Sequence, residues 1–141
     1  MKTIRLAQET DLRSIQKVIE IGFSDEENKV IMNLAQELSK ETTSPSIKSL
    51  VAEVGTKVIG YVCYSPIFLK STSGISGYIL APLAVSPEHQ KQGVGLNLIQ
   101  SGIDMLTKDG SVFLLVYGDP DYYGRFGFKE EIGRLFVPLY P

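Results

Sequence analysis

A strand, a helix and a second strand follow one another between residues 78 and 117, and this succession constrains the fold more than any other feature. Residues 112–117 form a nearly continuous apolar run, which is typical of a strand covered on both faces. Residues 95–108 keep helical spacing. The apolar face predicted for this helix consists of Leu96, Ile99, Ile103 and Leu106. If both strands belong to one sheet, their connection is a right-handed parallel crossover.

The remaining elements add strands to the same sheet. We predict a strand at residues 4–6, helices over 12–22 and 25–40, a hairpin of strands 50–54 and 58–64, a short helix at 120–126 and a last strand at 135–137. Ser24 and Glu27 have the spacing of a capping box. Pro82 cannot donate a ladder hydrogen bond, which indicates a bulge or an edge. The order predicts an α/β fold with a central mixed sheet, about four flanking helices and a single domain over residues 1–141.

Composition excludes several classes of protein. The 14 basic and 16 acidic residues give a net charge of −2, without the basic excess of a nucleic-acid-binding protein. Cys63 is the only cysteine and His89 the only histidine, so neither an internal disulfide nor a zinc site is expected. No apolar leader and no run of about 18 apolar residues is present. We therefore expect a cytoplasmic protein with no metal, nucleic-acid or membrane partner.

Residues 83–95 carry the strongest functional signal. A strand ends at Val85, a short loop follows, and Gly93 and Gly95 lie where a helix begins. Glycines allow backbone N–H groups to approach a ligand, and the helix dipole adds positive potential, so this segment predicts an anion site suited to a pyrophosphate. Leu98 occupies the third glycine position of a dinucleotide-binding fingerprint, and no P-loop lysine is present. On this motif alone, a glycine-rich turn that binds nothing remains an alternative.

Two motifs in this sequence resemble the GNAT superfamily of N-acetyltransferases. The coenzyme-binding signature of that family is Gln or Arg, two residues, Gly, one residue, and Gly or Ala, which reads here Gln90-Lys91-Gln92-Gly93-Val94-Gly95. The second motif is an aromatic pair followed at fixed distance by Gly-Phe, and it is present as Tyr122-Tyr123-Gly124-Arg125-Phe126-Gly127-Phe128. The preceding Gly118-Asp119-Pro120 is similar to a subgroup of small, mostly uncharacterised bacterial acetyltransferases.

The resemblance implies transfer of an acetyl group from acetyl-CoA to a primary amine by direct attack in a ternary complex. Acetyl-CoA would lie at Leu83, Ala84 and Val85, where their strand diverges from its parallel neighbour, and the backbone of Leu83 and Val85 would pair with the pantetheine arm. The N–H groups of Lys91, Gln92, Gly93, Val94 and Gly95 would hold the pyrophosphate, and the side chain of Gln90 would assist.

Tyr123 matches the family tyrosine that protonates the departing thiolate. From the residues alone, a core position with a solvated hydroxyl is an equal alternative for Tyr123. Candidates for the general base are Asp119 and the acidic residues 25–27, and the sequence does not choose among them. Cys63 is expected to pack as a small hydrophobic residue, and His89 to be solvated. We expect the acceptor to be a small-molecule or peptide amine, and no motif of the sequence identifies it further.

The segment after Phe128 is short by comparison with the family. We expect one closing strand there in place of two, which would leave a bare sheet edge and favour a homodimer. The same missing strand would favour an alternative function, a non-catalytic CoA-binding or regulatory module on this fold. A generic phosphate-binding α/β domain is the third possibility.

Overall fold

A computed structural model describes residues 2–42, 46–68, 76–111, 113–116, 129–131 and 134–138. Its strands are β1 (Lys2–Leu6), β2 (Lys48–Val54), β3 (Lys57–Phe68), β4 (Ser76–Val85), β5 (Phe113–Val116), β6 (Lys129–Glu131) and β7 (Arg134–Pro138). Its α-helices are α1 (Leu12–Gly22), α2 (Asp25–Lys40) and α3 (Val94–Lys108). Short 3₁₀ turns at Glu9–Asp11 and Pro87–His89 precede α1 and α3. None of these helices is long and apolar enough to span a membrane.

The strands form one mixed sheet in the order β1-β2-β3-β4-β5-β7-β6. β4 and β5 are parallel and are joined through α3, whereas every other neighbouring pair is antiparallel. The predicted parallel crossover and the α/β fold class are therefore confirmed. The part of the chain that the structure describes holds three α-helices. The fourth helix predicted, over residues 120–126, lies outside it.

The C-terminal part of the sheet has two strands where the sequence predicts one. β7 pairs with β5 and β6 pairs with the far side of β7, both antiparallel. The prediction of a single strand was wrong because Lys129–Glu131 consists of three charged residues and lacks the apolar alternation that indicates a strand. The homodimer prediction thereby loses its basis, and so does the argument for a non-catalytic module.

Helices cover both faces of the sheet. The α3 face is filled by a cluster that includes Leu50, Ile59, Val62, Tyr64, Leu80, Val94, Leu98, Ile99, Leu106, Leu114 and Val116. The opposite face is filled by side chains of α1, α2 and the central strands, among them Ile15, Val18, Ile19, Ala35, Val51, Tyr61, Cys63 and Ala84. The sheet is thus the middle of three layers.

The buried face of α3 differs by one residue from the prediction. Ile99 and Leu106 are buried as predicted, but Leu96 is 45% exposed and Leu98 is fully buried. The reason lies in β3, because a Cβ at Gly60 would come within 3.0 Å of side-chain atoms of Val94 and Leu98. Because Gly60 has no side chain, Val94 and Leu98 can pack against β3 at this point. With these two residues facing the sheet, Leu96 lies on the outer side of α3.

Pro82 lies at a bulge in β4, as predicted. The pairing with β3 skips one position, so that Ala81 and Pro82 together oppose Cys63. The extra residue shifts the alternation of side chains along β4. Leu80 before the bulge and Leu83 after it therefore both face α3. The bulge thus determines which backbone groups at the end of β4 point away from β3.

The start of α2 is as predicted, but its cap is not. The hydroxyl of Ser24 donates to the Glu27 carboxylate at 3.0 Å, and the Glu27 N–H donates to the backbone carbonyl of Ser24 at 3.0 Å. The reciprocal side-chain-to-backbone bonds of a capping box are not formed. Instead, the buried Asn28 donates from Nδ2 to the carbonyl of Glu20 at 3.3 Å, which ties α2 to the last turn of α1.

Tyr64 joins α3 to the sheet at a close contact. A Cβ on Gly102 would collide with the Tyr64 ring and hydroxyl, so only glycine leaves room for the ring at this point of α3. The fully buried Tyr64 also donates its hydroxyl proton to the carbonyl of Leu98 at 3.1 Å. The contact and the hydrogen bond together fix the distance of α3 from β3.

We predict that Gly102→Ala destabilises the protein by about 1–3 kcal/mol because the added methyl overpacks this contact, despite the higher helix propensity of alanine. Urea denaturation followed by circular dichroism measures the change. Ser101→Ala, at the adjacent and half-buried position of the same helix, is the matched control and should leave stability unchanged or slightly raised. A Gly102→Ala protein as stable as the native chain would contradict the contact.

Candidate active site

The end of β4 has a strand on one side only in the described part of the sheet. Its parallel pairing with β5 ends at Leu80↔Val116. Its antiparallel pairing with β3 continues to Gly60↔Val85. The description of β5 also ends at Val116, so among the described residues no strand pairs with residues 83–85 on this side, where the resemblance implies that β4 and β5 diverge. We refer to this side of residues 83–85 as the open edge.

Backbone geometry determines which of these residues faces the open edge. The N–H of Ser86 donates to the carbonyl of Ile59 at 2.8 Å, which places the backbone groups of Ser86 on the β3 side. Because these groups alternate along an antiparallel strand, those of Ala84 also point to β3, whereas those of Leu83 and Val85 point to the open edge. Ala84 contributes instead by packing its buried methyl against the α1–α2 layer.

The turn between β4 and α3 has the backbone of an anion-binding site. Lys91 and Gly93 have positive φ angles of 63° and 83°, and alternation of this kind directs successive N–H groups toward one side. In the first turn of α3, the N–H groups of Val94, Gly95 and Leu96 have no partner within the helix. That turn contains no acidic residue, so its positive potential is not neutralised there.

The side chains of Gln90 and Gln92 form hydrogen bonds with backbone carbonyls at the turn. Gln90 Nε2 donates to the carbonyl of Val85 at 3.0 Å, and Gln92 Nε2 donates to the carbonyl of Glu88 at 3.2 Å. In this structure the Gln90 side chain therefore binds the end of β4 and not the amides of the turn. Its contribution is to fix the Val85 carbonyl at the open edge.

The end of α1 lies against the same edge, a feature that the sequence analysis missed. A Cβ at Gly22 would lie 3.2 Å from the carbonyl oxygen of Val85. The exposed residues 25–27, which include the candidate bases, begin α2 three positions later. A glycine at a helix end was the only signal in the sequence, and it is common at C-caps for unrelated reasons.

Cys63 and Tyr61 lie side by side on the face of the sheet that α1 and α2 cover. Both are buried, and burial raises the pKa of the Cys63 thiol and of the Tyr61 hydroxyl. The thiol is therefore protonated at neutral pH and unsuited to nucleophilic attack, in line with the packing role predicted for it.

The remaining predictions concern the aromatic motif, Asp119 and metal binding. Tyr123, the aromatic motif around it and Asp119 fall outside the described residues. Among the residues that are described, no group of three His, Cys, Asp or Glu side chains could hold a metal ion. A cavity of about 610 Å³ lies at the opposite end of the sheet, between the start of α1, the end of α2 and β2, and contains none of the predicted site residues.

Known proteins share both the sequence pattern and the fold. Residues 11–128 match the Acetyltransferase (GNAT) family. The chain is 35% identical over 143 aligned positions to the uncharacterized N-acetyltransferase YjhQ of Escherichia coli (strain K12), covering 99% of this chain and 76% of that protein. It is 30% identical over 127 positions to the uncharacterized N-acetyltransferase YhbS of the same strain, covering 89% of this chain and 72% of that protein.

Two crystal structures with bound coenzyme have the same fold. The structure of Escherichia coli YhbS in complex with CoA has a TM-score of 0.79 and 29% identity, covering 98% of this chain and 81% of that one. A GNAT acetyltransferase from Brucella melitensis in complex with acetyl-CoA has a TM-score of 0.80 and 28% identity, covering 100% of this chain and 90% of that one.

The chain thus shares its fold with acetyltransferases that bind CoA and acetyl-CoA. The chain belongs to the GNAT acetyltransferase family. It is an acetyl-CoA-dependent N-acetyltransferase, and the resemblance inferred from the motifs is confirmed.

We predict that Gln90→Ala weakens acetyl-CoA binding by about fivefold, because the Val85 carbonyl loses a hydrogen bond whose net worth is about 1 kcal/mol. Calorimetric titration with acetyl-CoA measures the change. Gln92→Ala removes an equivalent bond to the Glu88 carbonyl, away from the strand edge, and should change the affinity less than twofold. Equal losses in the two variants would show that the bond to Val85 has no special part in binding.

Proposed function

We propose that this protein transfers the acetyl group from acetyl-CoA to a primary amine, carried by a small molecule or a peptide, by direct attack in a ternary complex. One observation carries the proposal: the open edge of β4 leads directly into the turn of free amides at the start of α3. An extended arm ending in a pyrophosphate has the shape and charge to fit both parts at once.

This geometry supports the proposed coenzyme-binding residues. Leu83 and Val85 offer backbone groups to the amides of the pantetheine arm, as an added strand would. The pyrophosphate would be held by the N–H groups of Lys91, Gln92, Gly93, Val94 and Gly95. The open space around Gly93 supports this, since a Cβ there would meet no atom within 4 Å and the turn therefore has room for a ligand.

Three further residues support the strand edge or the turn of amides. Ala84 and Gln90 hold the strand edge in place, one by packing and the other through the Val85 carbonyl. The exposed ammonium of Lys91 adds a modest, salt-sensitive attraction to phosphates.

Catalysis in this proposal rests on the strand edge and on Tyr123. A backbone N–H at the end of β4 donates to the thioester oxygen, which becomes negative as the amine nitrogen attacks the carbonyl carbon, and such a donor is typically worth about 10²–10³ in rate. The new C–N bond forms as the C–S bond breaks. Tyr123 gives its proton to the thiolate, and the amine gives one up to a base or to water.

The acceptor meets the coenzyme at the end of α1. An amine with a pKa near 10 is mostly protonated at neutral pH, so a proton has to leave before attack. Asp25, Glu26 and Glu27 are exposed at the start of α2, close in the chain to Gly22 and thus to the Val85 carbonyl. These carboxylates and Asp119 are the candidates to receive the proton, directly or through water.

We predict that Gly93→Ala weakens acetyl-CoA binding at least tenfold, because its methyl enters the anion site and the left-handed backbone at this position is strained. Gly110→Ala is the matched control. Gly110 closes α3 with a φ of 84°, close to the 83° of Gly93, and a Cβ there also meets nothing within 4 Å.

Both variants therefore carry the same backbone strain, and only one changes the site. Thermal unfolding should show similar losses of stability in both variants, while calorimetry should show lost affinity in the Gly93 variant alone. Equal affinities would refute the placement of the pyrophosphate.

We predict that Tyr123→Phe lowers kcat by about 10²-fold or more, because the thiolate then leaves without its general acid. Release of the CoA thiol measures the rate, with polyamines, amino acids, aminoglycosides and peptides as the acceptor panel. Tyr122→Phe is the control and should retain the native rate. Unchanged turnover in Tyr123→Phe would exclude the general-acid role, whereas acetyl-CoA binding without transfer to any acceptor would count against the proposed reaction.

A further inference from the structure

Two buried polar atoms at the coenzyme turn have no hydrogen-bond partner, and they are the two such side-chain atoms in the described part of the chain. They are Ser86 Oγ and His89 Nδ1. Ser86 is 1% exposed, and His89 is half-buried with Nδ1 turned inward, contrary to the solvated position predicted from the sequence. An unsatisfied buried polar group costs about 1–3 kcal/mol, so a stable fold retains one only for a reason.

The two residues belong to one turn. Ser86 precedes the 3₁₀ turn Pro87–His89, and the N–H of His89 donates to the carbonyl of Ser86 at 2.8 Å. Ser86 is the N-cap of this turn and His89 is its third residue, the position whose N–H the side chain of an N-cap residue typically reaches. A serine in this position usually caps the turn with its hydroxyl, but Ser86 makes no side-chain cap. Its hydroxyl therefore remains available as a donor.

The two atoms are chemically complementary. A serine hydroxyl donates one proton, and Nδ1 of a neutral imidazole accepts one when the proton of the ring is on Nε2. The turn that carries both residues connects Val85 to Lys91, which are the last residue of the coenzyme strand and the first residue of the anion-binding amides. A hydrogen bond between Ser86 and His89 would therefore shorten or stiffen the segment that connects the open edge of β4 to the turn amides.

We propose that Ser86 and His89 are positioning residues whose side chains form a hydrogen bond when the pyrophosphate occupies the turn, with Ser86 Oγ–H donating to His89 Nδ1. This inference rests on the proposed placement of the coenzyme. In the free protein the bond is open, and part of the energy of coenzyme binding goes into closing it. The closed bond holds the Lys91–Gly95 amides at a fixed distance from the Leu83–Val85 edge.

Ser86→Ala separates this role from an ordinary structural one. Because the buried hydroxyl makes no bond in the free protein, its removal should not lower the melting temperature of the free protein and should raise it by up to several degrees. The acetyl-CoA dissociation constant should rise about 5–10-fold, the equivalent of one hydrogen bond. A fall in the melting temperature of the free protein with unchanged affinity would overturn the proposal.

Two substitutions of His89 provide a matched pair. The terminal atoms of asparagine reach the position of Nδ1, whereas those of glutamine reach the position of Nε2. His89→Asn should therefore keep acetyl-CoA affinity within about twofold of native, while His89→Gln should lose as much as Ser86→Ala. Equal affinities for the two His89 variants would show that Nδ1 is not the atom that matters.

Because the chain contains one histidine, its imidazole nitrogens give unambiguous NMR signals. Titration of ¹⁵N-labelled native protein with CoA should shift the Nδ1 resonance as it becomes an acceptor, with the ring proton on Nε2. In Ser86→Ala saturated with CoA, this shift should be absent. A Nδ1 resonance that responds equally in both proteins would contradict the pair.

Failure of this inference is distinguishable from failure of the proposed coenzyme site. If Gly93→Ala loses affinity while Ser86→Ala and the His89 variants do not, the site stands and the hydrogen-bonded pair is excluded. If none of these variants affects binding, the pyrophosphate lies elsewhere and both proposals fail.

Discussion

The site depends on the unequal bonding of β4. Over its first half this strand is held by β3 on one side and by β5 on the other, and over its second half β3 is its only partner among the described residues. The first half gives a rigid base, because both edges are paired and both faces are covered. The second half keeps backbone groups free at the place where a ligand can use them. The bulge at Pro82 lies between the halves and sets which residues present those groups.

Local structure could be predicted from the sequence at positions where a residue type has one dominant structural role. Gly110 predicts the end of α3, and the structure shows the double hydrogen bond typical of a glycine C-cap there, from the N–H groups of Gly110 and Ser111 to the carbonyls of Thr107 and Leu106. Pro82 predicts a bulge because it lacks an N–H. Gly93 predicts the turn at the start of α3, and its positive φ at the N-cap agrees.

Predictions failed where a choice depended on residues far away in the chain. Leu96 and Leu98 fit a helical period equally well, and Gly60 of a distant strand decides between them. β6 is too short and too charged for any periodic pattern, and it exists because β7 offers an edge to pair with. The acceptor could not be predicted either, because no motif of the sequence indicates a class of amine.

The position of Cys63 has a consequence for an enzyme that handles a thioester. A surface cysteine near neutral pKa would exchange acyl groups with acetyl-CoA and would become acetylated by its own substrate. Here the only thiol of the chain is fully buried on the α1–α2 face and kept protonated by burial. Burial thus disfavours the thiolate needed for that exchange and separates the thiol from the surface. The fold protects the enzyme from self-acylation without having to dispense with cysteine.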